Sequence, residues 1–318
     1  MPPFQPQTQD WPADSAVLLV HGVGNAAQGD YADLAEAVRT TIGPDVAIYS
    51  LFYDVFNDWF AEKTQFAIQI GRATTFLKSK QPSDELGSKI AEFAGDVIWP
   101  VFSLAARTTV KTAYIAQVRQ MLIDGRRSTG TPLRHLKISI VCHSLGCFHT
   151  YEALHAMATD PALELRPVTD GVRFRGVVYM ASPVQLIRTL AQSIGGVVPG
   201  GLASALPSGL AIPSQRALGV RLRSAERFVS VTGDLDPIGG HFLRNQAPWA
   251  YMNIVDPNVT AIVDRQQLAG TGSEGDNLLE VLRSALSSAK PPEIRPNNPH
   301  SWLAYVERHQ GALAEWFA

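Results

Sequence analysis

The chain lacks the marks of a nucleic-acid partner. Its 27 Lys and Arg are dispersed and set against 29 Asp and Glu, for a net charge of −2, so no basic patch or stripe offers an electrostatic footprint for a phosphate backbone. Cysteine is scarce as well: there are 2, Cys142 and Cys147. One falls at the end of an expected strand and the other on an expected helix, a placement poorly suited to bridging, so both read as reduced core thiols. No uninterrupted apolar run is long enough for a membrane-spanning helix. The segment Met1 to Asp10 has neither the basic n-region nor the apolar h-region of a secretory signal, and together with reduced thiols this makes a cytoplasmic location the expectation. There is no tandem repeat, zinc-type cysteine spacing or phosphate-binding loop.

What the chain does have is length and apolar content. With 318 residues, 46% of them hydrophobic and 18% charged, it can bury one large core, and a single domain over 1–318 is expected. Strand and helix patterns alternate, which predicts an α/β fold with a doubly wound, mostly parallel sheet. Strands are expected near Ala16 to His21, Val46 to Leu51, Leu136 to Cys142, Gly176 to Ala181, Phe228 to Thr232 and Tyr251 to Val255, with a helix over Tyr31 to Thr40. Two stretches exceed such a core. Residues 57–125 carry helical apolar spacing at Phe66, Ile70, Ala73 and Leu77, at Leu86, Ile90, Phe93 and Val97, and at Val110, Tyr114 and Met121, with Pro100 ending or kinking the middle helix. Residues 184–224 carry the stretch Ile194 to Pro213, which interleaves apolar residues with glycine and proline and can form no regular helix.

The most telling segment is Leu136 to Thr150, a buried strand that breaks at Ser144 and restarts as a helix. A serine hydroxyl is a poor nucleophile. A sharp strand-to-helix turn lifts it clear of its neighbours towards a base, and the helix N-terminus then faces developing negative charge. Gly146 matches the second glycine of the G-x-S-x-G pattern, whereas Cys142 stands where the first would be. The plain alternative is that Ser144 simply caps the following helix. A second apolar strand, Ser15 to Val20, empties into His21-Gly22-Val23-Gly24-Asn25, whose glycines permit close backbone approach to a substrate carbonyl; the alternative is an ordinary strand-to-helix turn.

With these two motifs the chain resembles the α/β-hydrolase superfamily, in particular its bacterial lipases and esterases. The resemblance implies an oxyanion hole made by the Val23 and Leu145 N–H groups. It also implies an acid in the turn Gly233-Asp-Leu-Asp-Pro237, with Asp236 at the carboxylate position and Asp234 as competitor, and a base that follows the acid in the chain. His241, His300 and His309 satisfy that order. His300 stands in a polar loop before a last amphipathic helix bearing Trp302, Tyr305, Val306 and Leu313 on one face, as the resemblance implies; His241 is next, and His309 falls within the helix. His143 reads as packing or as a wall on the substrate side.

The activity so implied is hydrolysis of carboxylic esters through an acyl-serine, with Ser144 as nucleophile, His300 as base, Asp236 as orienting acid, and no metal or organic cofactor. The substrate would be a small-molecule or lipid ester, with transient contact to a lipid surface allowed. Residues 184–224 are either a lid, with Leu202 and Leu206 in the acyl wall, or an irregular packed insertion. Asp234, Asp236 and His241 crowd one loop and read as turn residues before a cation site. Thioester, amide or acyl-transfer chemistry on the same triad, and a catalytically silent binding module on the same fold, are the alternatives.

Overall fold

The computed structural model describes residues 4–22, 31–51, 53, 104–159, 174–182, 225–233, 259–264, 302, 305–306 and 309–317. Six strands form one parallel sheet: β1 (Ser15–Val20), β2 (Val46–Leu51), β3 (Lys137–His143), β4 (Phe174–Met180), β5 (Ala225–Gly233) and β6 (Val259–Asp264), in the order β2-β1-β3-β4-β5-β6. Every pairing is parallel. Four helices are described, namely α1 (Ala32–Ile42), α2 (Leu104–Thr129), α3 (Leu145–Thr159) and α4 (Gln310–Phe317). A further stretch has helical backbone at Trp302, Tyr305 and Val306.

Local composition explains which strands sit where. In β1 every residue after Ser15 is buried, as is every residue of β3 after Lys137, so both faces of these two strands are covered. In β2 burial alternates, with Ala47, Tyr49 and Leu51 buried in one core and Val46 and Ile48 half-buried against the other. Alternate residues feed two cores. Ala16, Leu18 and Val20 join Val110, Tyr114 and Met121 of α2 and Cys147, Phe148 and Leu154 of α3. Val17 and Leu19 join Leu34 and Val38 of α1, Leu313 of α4, and Trp302, Tyr305 and Val306. Helices therefore cover both faces. The expected apolar stripes on α2 and on the terminal helical region are buried as the spacing predicted. His309 is not within a helix: it forms a half-buried turn just before α4, its N–H donating to Tyr305 O at 3.1 Å.

The outer edge of β2 is closed by side chains. Ser50 N–H donates to Gln7 Oε1 at 2.8 Å, and Gln9 Nε2 donates to Ile48 O at 2.7 Å. Two carboxamides thus take the donor and acceptor places that a neighbouring strand would fill, which blunts an edge otherwise open to pairing with another chain. The segment carrying them is extended, and its alternate N–H groups are held by one face of α2: Gln7 N to Gln117 Oε1 at 2.8 Å, Gln9 N to Asp124 Oδ2 at 3.1 Å, Trp11 N to Ser128 Oγ at 3.1 Å. The Trp11 indole crosses α2 over Gly125, where an added Cβ would lie 2.9 Å from the ring, and donates to Tyr49 Oη at 2.7 Å.

The chain leaves β1 for β2 on one side and leaves β3 for β4 on the other, so connections diverge between β1 and β3. Open α/β sheets bind ligands in the crevice outside the carboxyl ends of strands at such a point. The expected strand at Tyr251 to Val255, most of the 57–125 insertion, Pro100 and all of 184–224 lie outside the described residues. Among the described residues no helix is long and apolar enough to cross a membrane.

Candidate active site

Ser144 occupies the divergence point. It follows β3 directly, precedes α3, and has a left-handed backbone with φ of 51°. For a residue with a Cβ this conformation costs about 1–2 kcal/mol, and such strain collects at functional sites. A helix N-cap has extended backbone instead, so the capping alternative does not describe this serine. The turn is fixed from both sides: Ser144 N–H donates to Met180 O at 3.0 Å, and Cys147 N–H donates to Ser144 O at 3.0 Å. The neighbouring strand ends the same way, Ala181 having φ of 52° and donating its N–H to Val231 O at 3.0 Å.

Two glycines make the turn possible for steric reasons. A Cβ on Gly146 would lie 2.3 Å from His21 O and 2.4 Å from Val20 O, so α3 can approach β1 only without that carbon. A Cβ on Gly22 would lie 2.6 Å from Ser144 Cβ and 3.2 Å from its Oγ, which places the loop after β1 in contact with the serine. Cys142, at the place of the pattern's first glycine, meets no such limit. Its side chain enters the α2/α3 core, where the thiol donates to Val178 O at 3.3 Å. Cys147 is also a buried free thiol, donating to Met180 O at 3.4 Å. Burial pushes the Cys142 thiol well above its ordinary pKa, so it is inert as a thiolate nucleophile.

Around this turn lies a buried aromatic and imidazole cluster that spacing in the sequence did not reveal. His21 stacks on Tyr53 with centroids 4.4 Å apart and on Tyr31 at 5.5 Å. Its Nδ1 lies 2.7 Å from Gly22 O, and Tyr53 Oη lies 2.9 Å from His21 O and 2.8 Å from Gly22 O. Burial pulls the His21 pKa down to about 4. His149, on α3, packs edge-on against Tyr53 at 4.8 Å; burial first, then the nearby His21 and Arg107, lower its pKa to about 3. Arg107 of α2 forms a two-pronged ion pair with Glu152 of α3, its Nε 2.7 Å from Oε2, and lies over the Phe148 ring. That pair ties α2 to α3 beside the turn.

The expected site residues divide into two groups. Ser144, Leu145 and His143 are described and adjacent, with Leu145 opening α3 and buried. His143 is buried and stacked on Trp302 at 5.6 Å, with Tyr305 at 6.2 Å, and its Nδ1 would lie 3.4 Å from a Cβ on Gly22. Val23, Asp234, Asp236, His241, His300, Leu202 and Leu206 lie outside the described residues.

No family model matches the chain, and no curated protein matches it. Among solved structures it is similar to the esterase Pf2001 of Pyrococcus furiosus. One crystal form of that protein, in space group P21, aligns at 12% identity and a TM-score of 0.34 over 97% of this chain and 86% of the other. A second form, in P212121, gives 13% and 0.33 over 97% and 84%. The Vlm2 thioesterase domain, with a bound dodecadepsipeptide, gives 13% and 0.31 over 95% and 96%.

Proposed function

We propose that the chain is a serine hydrolase of carboxylic esters with an α/β-hydrolase fold. One observation carries this reading above the rest: Ser144 has left-handed backbone at the strand-to-helix turn, against Gly22, where the sheet's connections diverge. Ala181 shares this backbone at the end of β4, so the conformation counts together with the contact to Gly22 and the helix that follows, which give a nucleophile exposure to a base and to a helix N-terminus.

In the proposed reaction Ser144 Oγ attacks the ester carbonyl while its proton passes to His300. Asp236 holds that imidazole in the accepting tautomer, and the Val23 and Leu145 N–H groups receive the oxyanion. The carbonyl–alkoxy bond then breaks, His300 returns the proton to the departing alcohol, and an acyl-serine remains. Water, deprotonated by His300, attacks the acyl carbon and frees the acid and Ser144. His21 and His149 fit this role poorly, because both are packed within the protein and burial lowers their pKa to about 4 and about 3, which makes each a weak base. Leu202 and Leu206 are proposed as acyl-wall residues in a segment over the site, where burial of each acyl CH₂ contributes about 0.8 kcal/mol. Turnover across p-nitrophenyl esters of rising chain length, with Ser144→Ala alongside, tests the reading. Wild-type hydrolysis lost by roughly 10⁴- to 10⁶-fold in the alanine variant supports it; equal rates in the two reject it.

A further inference from the structure

We propose that Tyr53 is a positioning residue for the oxyanion loop, clamping the His21 and Gly22 carbonyls so that the loop after β1 is presented to Ser144 in one orientation; this rests on the ester-hydrolase reading above. Tyr53 follows β2, more than thirty residues from the loop it touches, and is 1% exposed. Its hydroxyl has a single proton but faces two successive carbonyl oxygens at 2.9 and 2.8 Å. Neighbouring carbonyls repel, and they converge in a protein interior only where donors gather them. A second donor is present. A carbonyl can only accept, so the His21 nitrogen 2.7 Å from Gly22 O must be Nδ1–H.

The two donors also fix each other. The His21 and Tyr53 rings lie 8° from parallel at 4.4 Å, and His149 abuts the tyrosine from the side at 4.8 Å. Neither ring can swing without unstacking a buried pair. The consequence for chemistry follows from the planarity of the peptide bond. A trans amide points its C=O and its N–H in opposite directions, so a Gly22 carbonyl held towards Tyr53 sets the N–H of the same bond away from Tyr53. That N–H is the one proposed as an oxyanion donor. An N–H already aimed before the reaction needs no reorganisation as the oxyanion forms, which is where such donors exert their effect. In this role Tyr53 acts through the His21 and Gly22 carbonyls rather than on the substrate, so its contribution should appear in the transition state alone.

The test is Tyr53→Phe, which keeps ring, stack and volume and removes one hydroxyl, beside Tyr114→Phe as control. Tyr114 is a buried phenol in the same core whose hydroxyl meets Thr150 Oγ1 at 3.3 Å. With p-nitrophenyl acetate, Tyr53→Phe should lower kcat by roughly 10- to 100-fold, less than the 10²- to 10³-fold typical of deleting a whole donor. KM should stay within about 2-fold, and affinity for a methyl trifluoromethyl ketone, which forms the oxyanion on Ser144, should fall by the same factor as kcat/KM. A purely structural role would not link those two losses. The inference is overturned if kcat and ketone affinity are unchanged, if KM alone rises, or if Tyr114→Phe loses as much. A wild-type protein that hydrolyses no ester and takes no fluorophosphonate on Ser144 overturns the hydrolase reading and this inference together; an active wild type with an unimpaired Tyr53→Phe overturns this inference alone.

Discussion

Gly22→Ala is a one-carbon perturbation aimed at the serine itself. The backbone at Gly22 is not left-handed, so alanine meets no conformational bar there and the effect is purely steric. The new Cβ would stand 2.6 Å from Ser144 Cβ, so the two must part by at least 0.4 Å to reach the 3.0 Å below which such contacts are essentially never seen, and by 0.8 Å to reach ordinary contact at 3.4 Å. Neither atom is the tip of a flexible side chain. Gly22 is tied through its carbonyl to His21 and Tyr53, and Ser144 through its N–H to Met180 O, so the displacement falls on the alignment between loop and nucleophile. Misplacement of about 1 Å costs roughly 10²-fold in rate, or about 2.7 kcal/mol in the barrier. The overpacking itself costs about 1–3 kcal/mol of stability. kcat/KM on p-nitrophenyl acetate and thermal melting, measured together, separate the two. Gly311→Ala is the companion: a Cβ there meets nothing within 4 Å, so activity should be untouched and stability raised by up to ~1 kcal/mol from helix propensity. A Gly22→Ala protein that melts and turns over like wild type would refute the geometry.

Acid should unfold the protein through its buried imidazoles. His21 and His149 stay neutral in the fold down to about 4 and about 3, while in the unfolded chain each titrates near 6.5. Stability is therefore complete above pH 6.5 and falls as pH drops below it, because the unfolded state binds protons the native state refuses. At pH 5 each histidine accounts for about 2 kcal/mol. Urea midpoints at pH 7.5 and 5.0 should show His149→Gln losing less stability than wild type across that interval; equal losses would mean that His149 is not held neutral. At the β2 edge, Gln7→Glu keeps an acceptor for Ser50 N–H whereas Gln9→Glu sets a carboxylate against Ile48 O. Gln9→Glu should be the more destabilising of the two by about 1–3 kcal/mol in urea, and the reverse order would mean that these amides do not close the edge.

The sheet was legible in the sequence because its signals are local. β1, β3 and β4 are predominantly apolar runs, their expected bounds within a residue or two of the observed ones, and β2 matches end to end. The turn at Ser144 was legible for the same reason: serine, Gly146 and the change from strand to helix lie within a few residues. β6 was missed. Val259–Asp264 is a short β-branched run, and the preceding Tyr251 to Val255 carries the same signal, so periodicity could not choose between them. Tyr53, His149 and the Arg107–Glu152 pair were missed because their contacts span 31 to 45 residues, or join rings whose meeting no spacing encodes. The role of Gly22 was half legible. The motif marked the loop as one of close approach, and the fold supplied what it approaches.

The central claim is that Ser144 is a nucleophile, and covalent capture tests it most directly. A fluorophosphonate applied to the folded protein, followed by digestion and peptide mass mapping, should place one phosphonyl group on Ser144. The Ser144→Ala variant, with an unchanged circular dichroism spectrum, should take up none. Labelling of a different residue, or no labelling of a wild-type protein that remains folded, would contradict the account.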